Sequence, residues 1–348
     1  MSLVLCGPCF FEKINGEVVY SRILAKALTE LFPKARVISL TPERPSSHYV
    51  PISCFRSFRR GVLGLKNLFE TAKGVVFTRT SCWPYALLLY LRRKPYVFVL
   101  HGVEAWRRFP QPARFILARA QGFLSVSRYT AERFLSENAF SNPWYLLPPA
   151  LDPYFRHPGP SPLSENGQYL MTVARLAREA HYKGVDLVIR ALPELQSEFP
   201  NLQYVVIGGG DLLPRYHELA IRLGVSDRVH FLGERKDVAR FLKAAEVFVL
   251  VSKGEGFGIV FLEAMYFRKP LLGASAGGIP EVVRDGVNGF LVPYGDLKAL
   301  TAALKRLLSQ KEEAQRLGEA GHRILTEEYT YETFKNRLQN ILRALTWV

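Results

Sequence analysis

The feature of this chain that most constrains its fold is an alternation between short apolar segments and longer amphipathic ones. The short segments are rich in β-branched and aromatic residues, and segments of helical length separate them. This alternation is typical of parallel β-strands joined by crossover helices. The strands expected in the first half are 2–5, 36–40, 75–78, 96–100, 123–126 and 144–147. The strands expected in the second half are 169–173, 203–207, 229–232, 247–251, 270–273 and 290–292.

The length of the chain points to two such α/β domains. At 348 residues it is too long for one ordinary core, and it suits two domains of roughly 150 to 200 residues each. Prolines at 148, 149 and 153 mark the boundary, because proline ends both helices and central strands. In open α/β sheets, ligands bind where loops leave the carboxyl ends of the strands. Two sheets that face each other would therefore hold a ligand between them.

Positive charge is concentrated in the first half of the chain. Residues 1–150 hold 21 Lys and Arg against 8 Glu and no Asp, whereas the whole chain has a formal charge of +15. Such a surplus indicates an anionic partner, such as a phospholipid surface, a phosphorylated lipid or a nucleic acid. In segment 55–69, apolar residues and four cations are spaced as in a helix that lies on an anionic membrane. The same spacing fits a helix that packs on the domain core with a basic outer face.

Composition excludes several classes of protein. A hydrophobic share of 48% with 22% charged residues fits a folded soluble protein, and no apolar run approaches the roughly 18 residues of a membrane-crossing helix. Four cysteines are too few for a disulfide scaffold, and the start of the chain lacks a basic leader, so we expect a cytoplasmic protein. Cys6-Gly-Pro-Cys9 has the letters of a redox motif. It follows only five residues, which favours a turn at the end of a strand over a reactive thiol pair.

The segment most informative about chemistry is Lys253-Gly-Glu255-Gly-Phe-Gly258, which follows an apolar strand and opens a helical run. Its glycines let backbone N–H groups approach a ligand, and the helix start adds partial positive charge, as a diphosphate site requires. A rise of about 1.5 Å per residue puts Glu263 about 7 Å beyond Gly258, which suits a carboxylate that binds a ribose. Glu255 could instead cap the helix. Glu263 is surrounded by apolar residues, so we expect it to be buried and to need a partner.

Two cations form a second candidate feature. Arg175 ends an expected strand, and Lys183 precedes a helix that begins near residue 185. Both can therefore lie at the carboxyl ends of the strands, where they would neutralise a departing nucleoside diphosphate. As ordinary surface cations they would have no such role. The run Gly208-Gly-Gly210 lacks the spacing of a dinucleotide-binding loop and indicates a tight turn.

These features together resemble a known enzyme family. Glu255 and Glu263, two glutamates separated by seven residues, resemble the signature of retaining GT-B glycosyltransferases of family four, the glycosyl transferases group 1. The matching segments are 172–176 with Lys183-Gly184, 206–210, 277–281, 285–292 and 101–104. The match is strong over residues 168–295 and thinner before residue 95. It implies a GT-B fold, with two doubly wound Rossmann-like domains facing across a cleft.

The resemblance also implies domain roles and catalytic residues. Residues 1–150, joined by a last helix within about 330–348, would bind the acceptor, and residues 151–329 would bind the donor. Arg175 and Lys183 would bind the donor diphosphate, and Glu255 would hold a hydroxyl of the donor sugar. His101 lies on the loop whose histidine touches the sugar in relatives. A structural histidine at a strand end is the alternative.

Further donor contacts follow from the same resemblance. The amides of Phe257 and Gly258 would contact the sugar or phosphate, Glu263 the ribose, and the backbone at Arg235 the base. Gly16 occupies the first loop, where Asn15-Gly16 replaces the family's usual pair of adjacent glycines. A glycine at 16 still allows a close approach of phosphate.

The resemblance implies a reaction as well. A UDP-, GDP- or ADP-sugar would donate its glycosyl group, with retention, to a hydroxyl, without a metal or other cofactor. The positive charge of the first half, and not the resemblance, points to a glycan or a lipid-linked glycan as the acceptor. A basic first domain could hold the enzyme on the inner face of the cytoplasmic membrane. A nucleotide-sugar epimerase could use the same fold and stays open. A nucleic-acid-binding protein would explain the charge, but no nucleic-acid-binding motif is present, so no nucleic acid is expected.

Overall fold

The computed structural model describes residues 2–8, 10, 15–40, 52–54, 71–155, 159–164 and 167–347. These residues divide into two compact units. The first unit comprises Met1–Asp152 together with Tyr329–Val348, and the second comprises Pro153–Glu328. Segment 55–69, the candidate membrane-surface helix, lies outside the described residues.

The described part of the first unit contains a parallel sheet of seven strands in the order β3-β2-β1-β4-β5-β6-β7. The strands are β1 Ser2–Gly7, β2 Arg36–Ser39, β3 Ile52–Cys54, β4 Ala72–Phe77, β5 Tyr96–Leu100, β6 Gly122–Ser125 and β7 Trp144–Leu146. The order reverses between β1 and β4, because β2 and β3 extend the sheet on one side of β1 and β4 continues it on the other. Strand β3 was not expected. It has three residues and pairs only with β2, from Val37 opposite Ile52.

Helices follow most strands of the first unit. They are α1 Gly16–Leu31, α2 Trp83–Leu91, α3 Gln111–Leu117 and α4 Arg128–Asn138. Helix α1 begins where Asn15 accepts a hydrogen bond from the Val18 amide at 2.9 Å, which satisfies one of the unpaired N–H groups at a helix start. Its buried side chains recur at helical spacing and include Tyr20, Leu24 and Leu28.

The second unit repeats the doubly wound arrangement. Its described residues form a sheet of six parallel strands in the order β10-β9-β8-β11-β12-β13. They are β8 Gln168–Val173, β9 Leu202–Ile207, β10 Val229–Phe231, β11 Val247–Leu250, β12 Leu271–Ala274 and β13 Gly289–Val292. The helices are α5 Val185–Gln196, α6 Leu213–Arg222, α7 Val238–Leu242, α8 Ile259–Tyr266, α9 Leu297–Ser309 and α10 Lys311–Glu328. The expected alternation of parallel strands and helices, an α/β fold, is confirmed.

The last helix, α11 Tyr331–Ala344, belongs to the first unit. It packs against α1, where the rings of Tyr20 and Phe334 meet edge to face with 5.6 Å between centroids. Beyond α11, the ring of Trp347 packs on Gly74 so closely that a Cβ at that glycine would collide with it. In the residues that the structure describes, none of the helices combines the length and apolarity needed to cross a membrane.

Candidate active site

The candidate donor residues flank the point where the strand order of the second sheet reverses. Strand β8 lies between β9 and β11, so the loops that follow β8 and β11 diverge at the carboxyl edge of the sheet. In doubly wound sheets this is where ligands bind. The loop after β8 carries Arg175 and Lys183, and the loop after β11 carries Glu255.

Lys183 and Glu255 form an ion pair across these two loops. The Lys183 Nζ atom donates to Glu255 Oε1, and the two side chains are 17% and 13% exposed. Low exposure makes the attraction stronger than at a solvated surface, because less water screens it. In the described structure, therefore, the cation expected to bind phosphate and the carboxylate expected to bind sugar neutralise each other.

Backbone contacts fix the Lys183 side of this pair. The Lys253 amide donates to the Tyr182 carbonyl at 2.9 Å, which ties the β11 loop to the residues before Lys183. Gly184 adopts a φ of +72°, and a Cβ there would collide with the carbonyl of Val251. Glycine is required at 184 both for its backbone conformation and for the close approach of the two loops.

The Glu255 side is held by the glycine pair after β12. The Gly278 amide donates to the Glu255 carbonyl at 2.8 Å. Gly277, with a φ of +61°, packs directly on the backbone of Glu255. Segment 277–281, which the sequence associated with the family but with no role, thus positions the candidate catalytic carboxylate.

The start of helix α8 lies three residues beyond Glu255. Gly258 caps the helix with a φ of +90°, and the ring of Phe261 occupies the space where a Cβ would project. The first N–H groups of a helix lack the usual partner four residues earlier; in α8 the Phe261 amide instead donates to the Gly258 carbonyl at 3.0 Å. The helix dipole adds partial positive charge at this end. Phe257 is only 4% exposed, so its side chain is part of the core.

The burial expected for Glu263 is wrong. Glu263 is only partly buried, as are Ile259 and Val260, which share its face of α8 at spacings of four and three residues. The helix is apolar nearly all round, but it is short and has one face only half covered. Apolar composition therefore overstated the burial of this side chain.

Arg175 is exposed and lies two residues beyond the end of β8. Its loop is fixed by the hydrogen bond from the Leu176 amide to the Gly209 carbonyl, at 2.9 Å. In the part of the chain that the structure describes, no carboxylate lies within salt-bridge distance of its guanidinium. Arg175 is accordingly available to an anion at the edge of the sheet.

The Arg235 side chain is engaged by a neighbour. Its Nε and Nη2 atoms each donate to a different oxygen of Asp237, both at 2.9 Å. These hydrogen bonds lower the pKa of the Asp237 carboxyl. Arg240 lies 3.3 Å from the same carboxylate. The guanidinium of Arg235 is thus held beside its own loop, whose backbone is the part expected to meet the base.

His101 follows β5 in the first unit and is held on two sides. Its Nε2 lies 2.7 Å from the carbonyl of Thr78, and its ring meets Tyr20 edge to face at 5.1 Å. Since a carbonyl only accepts, Nε2 carries the hydrogen and Nδ1 is the acceptor when the ring is neutral.

Gly16 is the exposed first residue of α1, the helix that also carries Tyr20.

Glu104 shapes the backbone around His101. Its Oε1 accepts hydrogen bonds from the amides of His101, at 2.8 Å, and Gly102, at 3.2 Å. Burial raises the pKa of this carboxyl. No separate role was assigned to Glu104 from the sequence, although a carboxylate four residues after the end of a strand can accept hydrogen bonds from the amides of the turn.

The structure thus brings Lys183 and Glu255 into contact within the second unit, with Gly258 close by in sequence. His101 and Gly16 belong to the first unit, together with Tyr20 and Glu104. Within the described ranges there is no group of three or more His, Cys, Asp or Glu side chains that could hold a metal ion.

Known proteins are similar to this chain in sequence and in fold. The model of the family "Glycosyl transferases group 1" matches residues 156–324. A GDP-mannose-dependent alpha-(1-6)-phosphatidylinositol monomannoside mannosyltransferase of Mycolicibacterium smegmatis is 33% identical over 282 residues, which cover 74% of this chain and 74% of that protein. A lipopolysaccharide core biosynthesis glycosyltransferase, LpsE of Rhizobium meliloti, is 31% identical over 172 residues, 49% of each chain.

Solved structures match over nearly the whole chain. Anabaena HepE in complex with UDP superposes with a TM-score of 0.83 at 19% identity, covering 99% of this chain and 100% of that one. Sucrose-phosphate synthase from Thermosynechococcus elongatus gives a TM-score of 0.79 at 19% identity, covering 99% of each. At such identities the likeness concerns the fold.

Proposed function

This chain belongs to the glycosyl transferases group 1 family and is a glycosyltransferase of the GT-B fold; we propose that it moves a sugar from a nucleoside-diphosphate donor to a hydroxyl with retention at the anomeric carbon. The observation that carries this proposal is the Lys183–Glu255 pair, which lies at the reversal point of the second sheet close to the start of α8. A nucleotide-sugar epimerase would need the same binding site for the nucleoside-diphosphate sugar, but the relatives are named as transferases.

The donor diphosphate would bind between Lys183, Arg175 and the first turn of α8. Its negative charge competes with Glu255 for Lys183, so that binding frees Glu255 to accept a hydrogen bond from a sugar hydroxyl. Glu263 would hold the ribose, the Phe257 and Gly258 amides the sugar or phosphate, and the backbone at Arg235 the base. The roles expected for His101 and Gly16 in the first unit are part of the same proposal.

Charge development explains how these groups would accelerate the reaction. When the anomeric C–O bond breaks, its electrons pass to a phosphate oxygen. Fixed cations and a helix start that already face that oxygen stabilise the charge without reorganisation. The acceptor hydroxyl attacks on the face that the diphosphate leaves, and its proton passes to the departing phosphate. In this proposal no metal ion and no enzyme nucleophile takes part.

The first donors to test are GDP-mannose and UDP-glucose. The Mycolicibacterium smegmatis mannosyltransferase, which covers 74% of this chain, is named as GDP-mannose-dependent, and HepE was also solved with UDP-glucose. An ADP-sugar remains a third candidate.

A glycan or a lipid-linked glycan is the proposed acceptor, held by the first unit. Relatives named for a phosphatidylinositol mannoside and for lipopolysaccharide core support a lipid-linked substrate. A first half with 21 basic and 8 acidic residues supports peripheral attachment to the inner face of the cytoplasmic membrane.

A thermal-shift screen tests the donor, and product analysis tests the stereochemistry. A nucleotide at about 100 times its Kd stabilises the folded state by about 2.7 kcal/mol, so the correct one among UDP, GDP, ADP and their sugars raises the melting temperature. NMR of the product then reports the anomeric configuration. The absence of stabilisation by every nucleotide, or a product of inverted configuration, would contradict the proposal.

A further inference from the structure

A basic pocket lies at the amino edge of the first sheet, where β4, β5 and β6 begin. It has a volume of about 550 Å³, and four cations line it: Lys73, Arg93, Lys94 and Arg119. His101 follows the carboxyl end of β5, so it lies at the opposite edge of the same sheet. None of the residues assigned above to glycosyl transfer is among those that line the pocket.

No described carboxylate is paired with any of the four cations. In the described part of the chain, none of them has a carboxylate within 4.0 Å, and no Asp or Glu is among the residues that line the pocket. Elsewhere in the same unit cations are paired, as Arg22 is with Asp152 at 2.9 Å. Four uncompensated charges around one concavity create a positive potential that favours an anionic ligand.

The walls of the pocket are well ordered by hydrogen bonds. The Trp347 indole donates to Gln121 Oε1 at 2.7 Å, and Gln121 donates to the Leu345 carbonyl at 2.9 Å. The hydroxyl of Tyr96 donates to the Ile116 carbonyl at 2.9 Å. Lys94 donates to the Ala72 carbonyl at 3.3 Å, and Arg119 donates to the Phe115 carbonyl at 2.9 Å. Carbonyl groups do not neutralise a cation, so the positive charge of the pocket remains to attract an anionic ligand.

Exposed apolar side chains lie on helices α2 and α3, which precede Arg93 and Arg119 in the chain. Leu91 is 67% exposed, Phe115 44% and Leu87 40%. The rings of Phe115 and Tyr90, a residue that lines the pocket, meet edge to face with 5.4 Å between their centroids. The guanidinium of Arg119 lies 3.5 Å from the centre of the Phe115 ring. Leu87 and Leu91 are four residues apart on α2 and thus share one face of the helix. We define this surface, the four cations with Leu87, Leu91 and Phe115, as the basic–apolar patch.

We propose that the basic–apolar patch seats the enzyme on an anionic phospholipid surface, with a lipid phosphate in the pocket and the apolar side chains inserted among the acyl chains. Exposed leucine and phenylalanine near cations that have no described carboxylate partner match an amphiphile better than a soluble polyanion or a nucleic acid. The proposal rests on the proposed function only for the lipid nature of the surface. It names a site built from described residues, distinct from segment 55–69.

The test is co-sedimentation of the full chain with vesicles in the absence of any sugar donor. Vesicles of pure phosphatidylcholine are compared with an equimolar mixture of phosphatidylcholine and phosphatidylglycerol, at low and high salt. The patch variant carries Leu91→Gln and Arg119→Glu. The matched control carries Ile221→Gln and Arg222→Glu, another exposed apolar residue beside a cation, on α6 of the second unit.

We expect wild type and the control to bind the anionic vesicles, to release them at high salt, and to bind pure phosphatidylcholine weakly. The patch variant should bind the anionic vesicles about tenfold less tightly or worse, because it loses an inserted side chain and reverses a charge. Equal binding by the patch variant and the control, with equal melting temperatures, would overturn the proposal. So would wild-type binding to tripolyphosphate or duplex DNA that is tighter than to anionic vesicles. Since no donor is present, either result leaves the glycosyl-transfer proposal untouched.

Discussion

The Lys183–Glu255 pair shows at the residue scale how one contact can serve two states. Each side chain is less than one-fifth exposed, and a charge at such a depth is costly without a partner. In the described state the two residues supply that partner to each other. When a donor binds, its diphosphate would take over Lys183 and its sugar hydroxyl would take over Glu255.

Gly184→Ala tests the close approach of the two loops that carry this pair. At a φ of +72°, and with the Val251 carbonyl in the way of a Cβ, alanine must displace the loop of Lys183. We expect a loss of more than about 2 kcal/mol in the free energy of unfolding, together with weaker nucleotide binding. Urea unfolding and calorimetric titration measure the two effects.

Gly224→Ala is the matched control in the same unit. Gly224 has a φ of +66°, but nothing lies within 4 Å of an added Cβ. The Gly224→Ala variant should therefore lose only about 1 kcal/mol of the free energy of unfolding, the cost of a positive φ for alanine. It should bind nucleotide as wild type does. If the two variants lose the same stability and the same affinity, the loop contact has no special role.

Glu104→Gln tests the buried carboxylate beside His101. Burial raises the pKa of Glu104 in the folded protein, so the folded state holds this proton more tightly than the unfolded state. Stability must then fall as the pH rises from the ordinary carboxyl pKa through the raised one. Glutamine keeps an acceptor oxygen for the two amides and never ionises, so the variant lacks this loss.

Thermal unfolding at about pH 5 and about pH 8 measures the effect. We expect the melting temperature of Glu104→Gln, relative to wild type, to be higher at the upper pH than at the lower one. A difference between the two proteins that does not change with pH would show that Glu104 stays ionised in the folded state without cost.

At the scale of elements, the sequence pattern sufficed to predict the strands that are apolar runs, and it failed for a strand that depends on pairing. Strands such as β5 and β11 are continuous apolar runs that stay buried throughout, and periodicity identifies them. Strand β3 has only Ile-Ser-Cys and exists because β2 offers it an edge, which no local pattern records. For helix α8 the prediction of burial was wrong. Its apolar composition predicted a buried Glu263, but this residue lies on a face of the helix that is only half covered.

Phe334→Ala tests the packing of α11 on α1. Phe334 is 1% exposed and contacts the ring of Tyr20. Removal of its ring leaves a cavity, which should lower the free energy of unfolding by about 3–5 kcal/mol. Hydrogen exchange should accelerate in α1 and α11 and stay unchanged in α5 of the second unit. Phe115→Ala is the control: its site is 44% exposed, so this variant should change neither the free energy of unfolding nor hydrogen exchange in α1 and α11 appreciably. Faster exchange in α5 alone would contradict the assignment of α11 to the first unit.

At the scale of the whole molecule, sites built from residues close together in the sequence could be predicted, and sites built from distant residues could not. The donor loop from Lys253 to Gly258 is contiguous, so its glycines and helix start could be interpreted directly. The partners Lys183 and Glu255 are 72 positions apart, and each was identified without the other. The basic pocket joins Lys73 to Trp347, a combination that exists only after α11 has packed on the first unit.

The central claim is that Lys183 binds the diphosphate of the donor, and titration calorimetry with the stabilising nucleoside diphosphate tests it directly. Lys183→Ala should raise the Kd about ten- to hundredfold, because it removes a charge-assisted hydrogen bond. Lys243→Ala, which removes an exposed lysine from the same unit, should leave the Kd unchanged. If Lys183→Ala binds the nucleotide as tightly as wild type does, the claim is wrong.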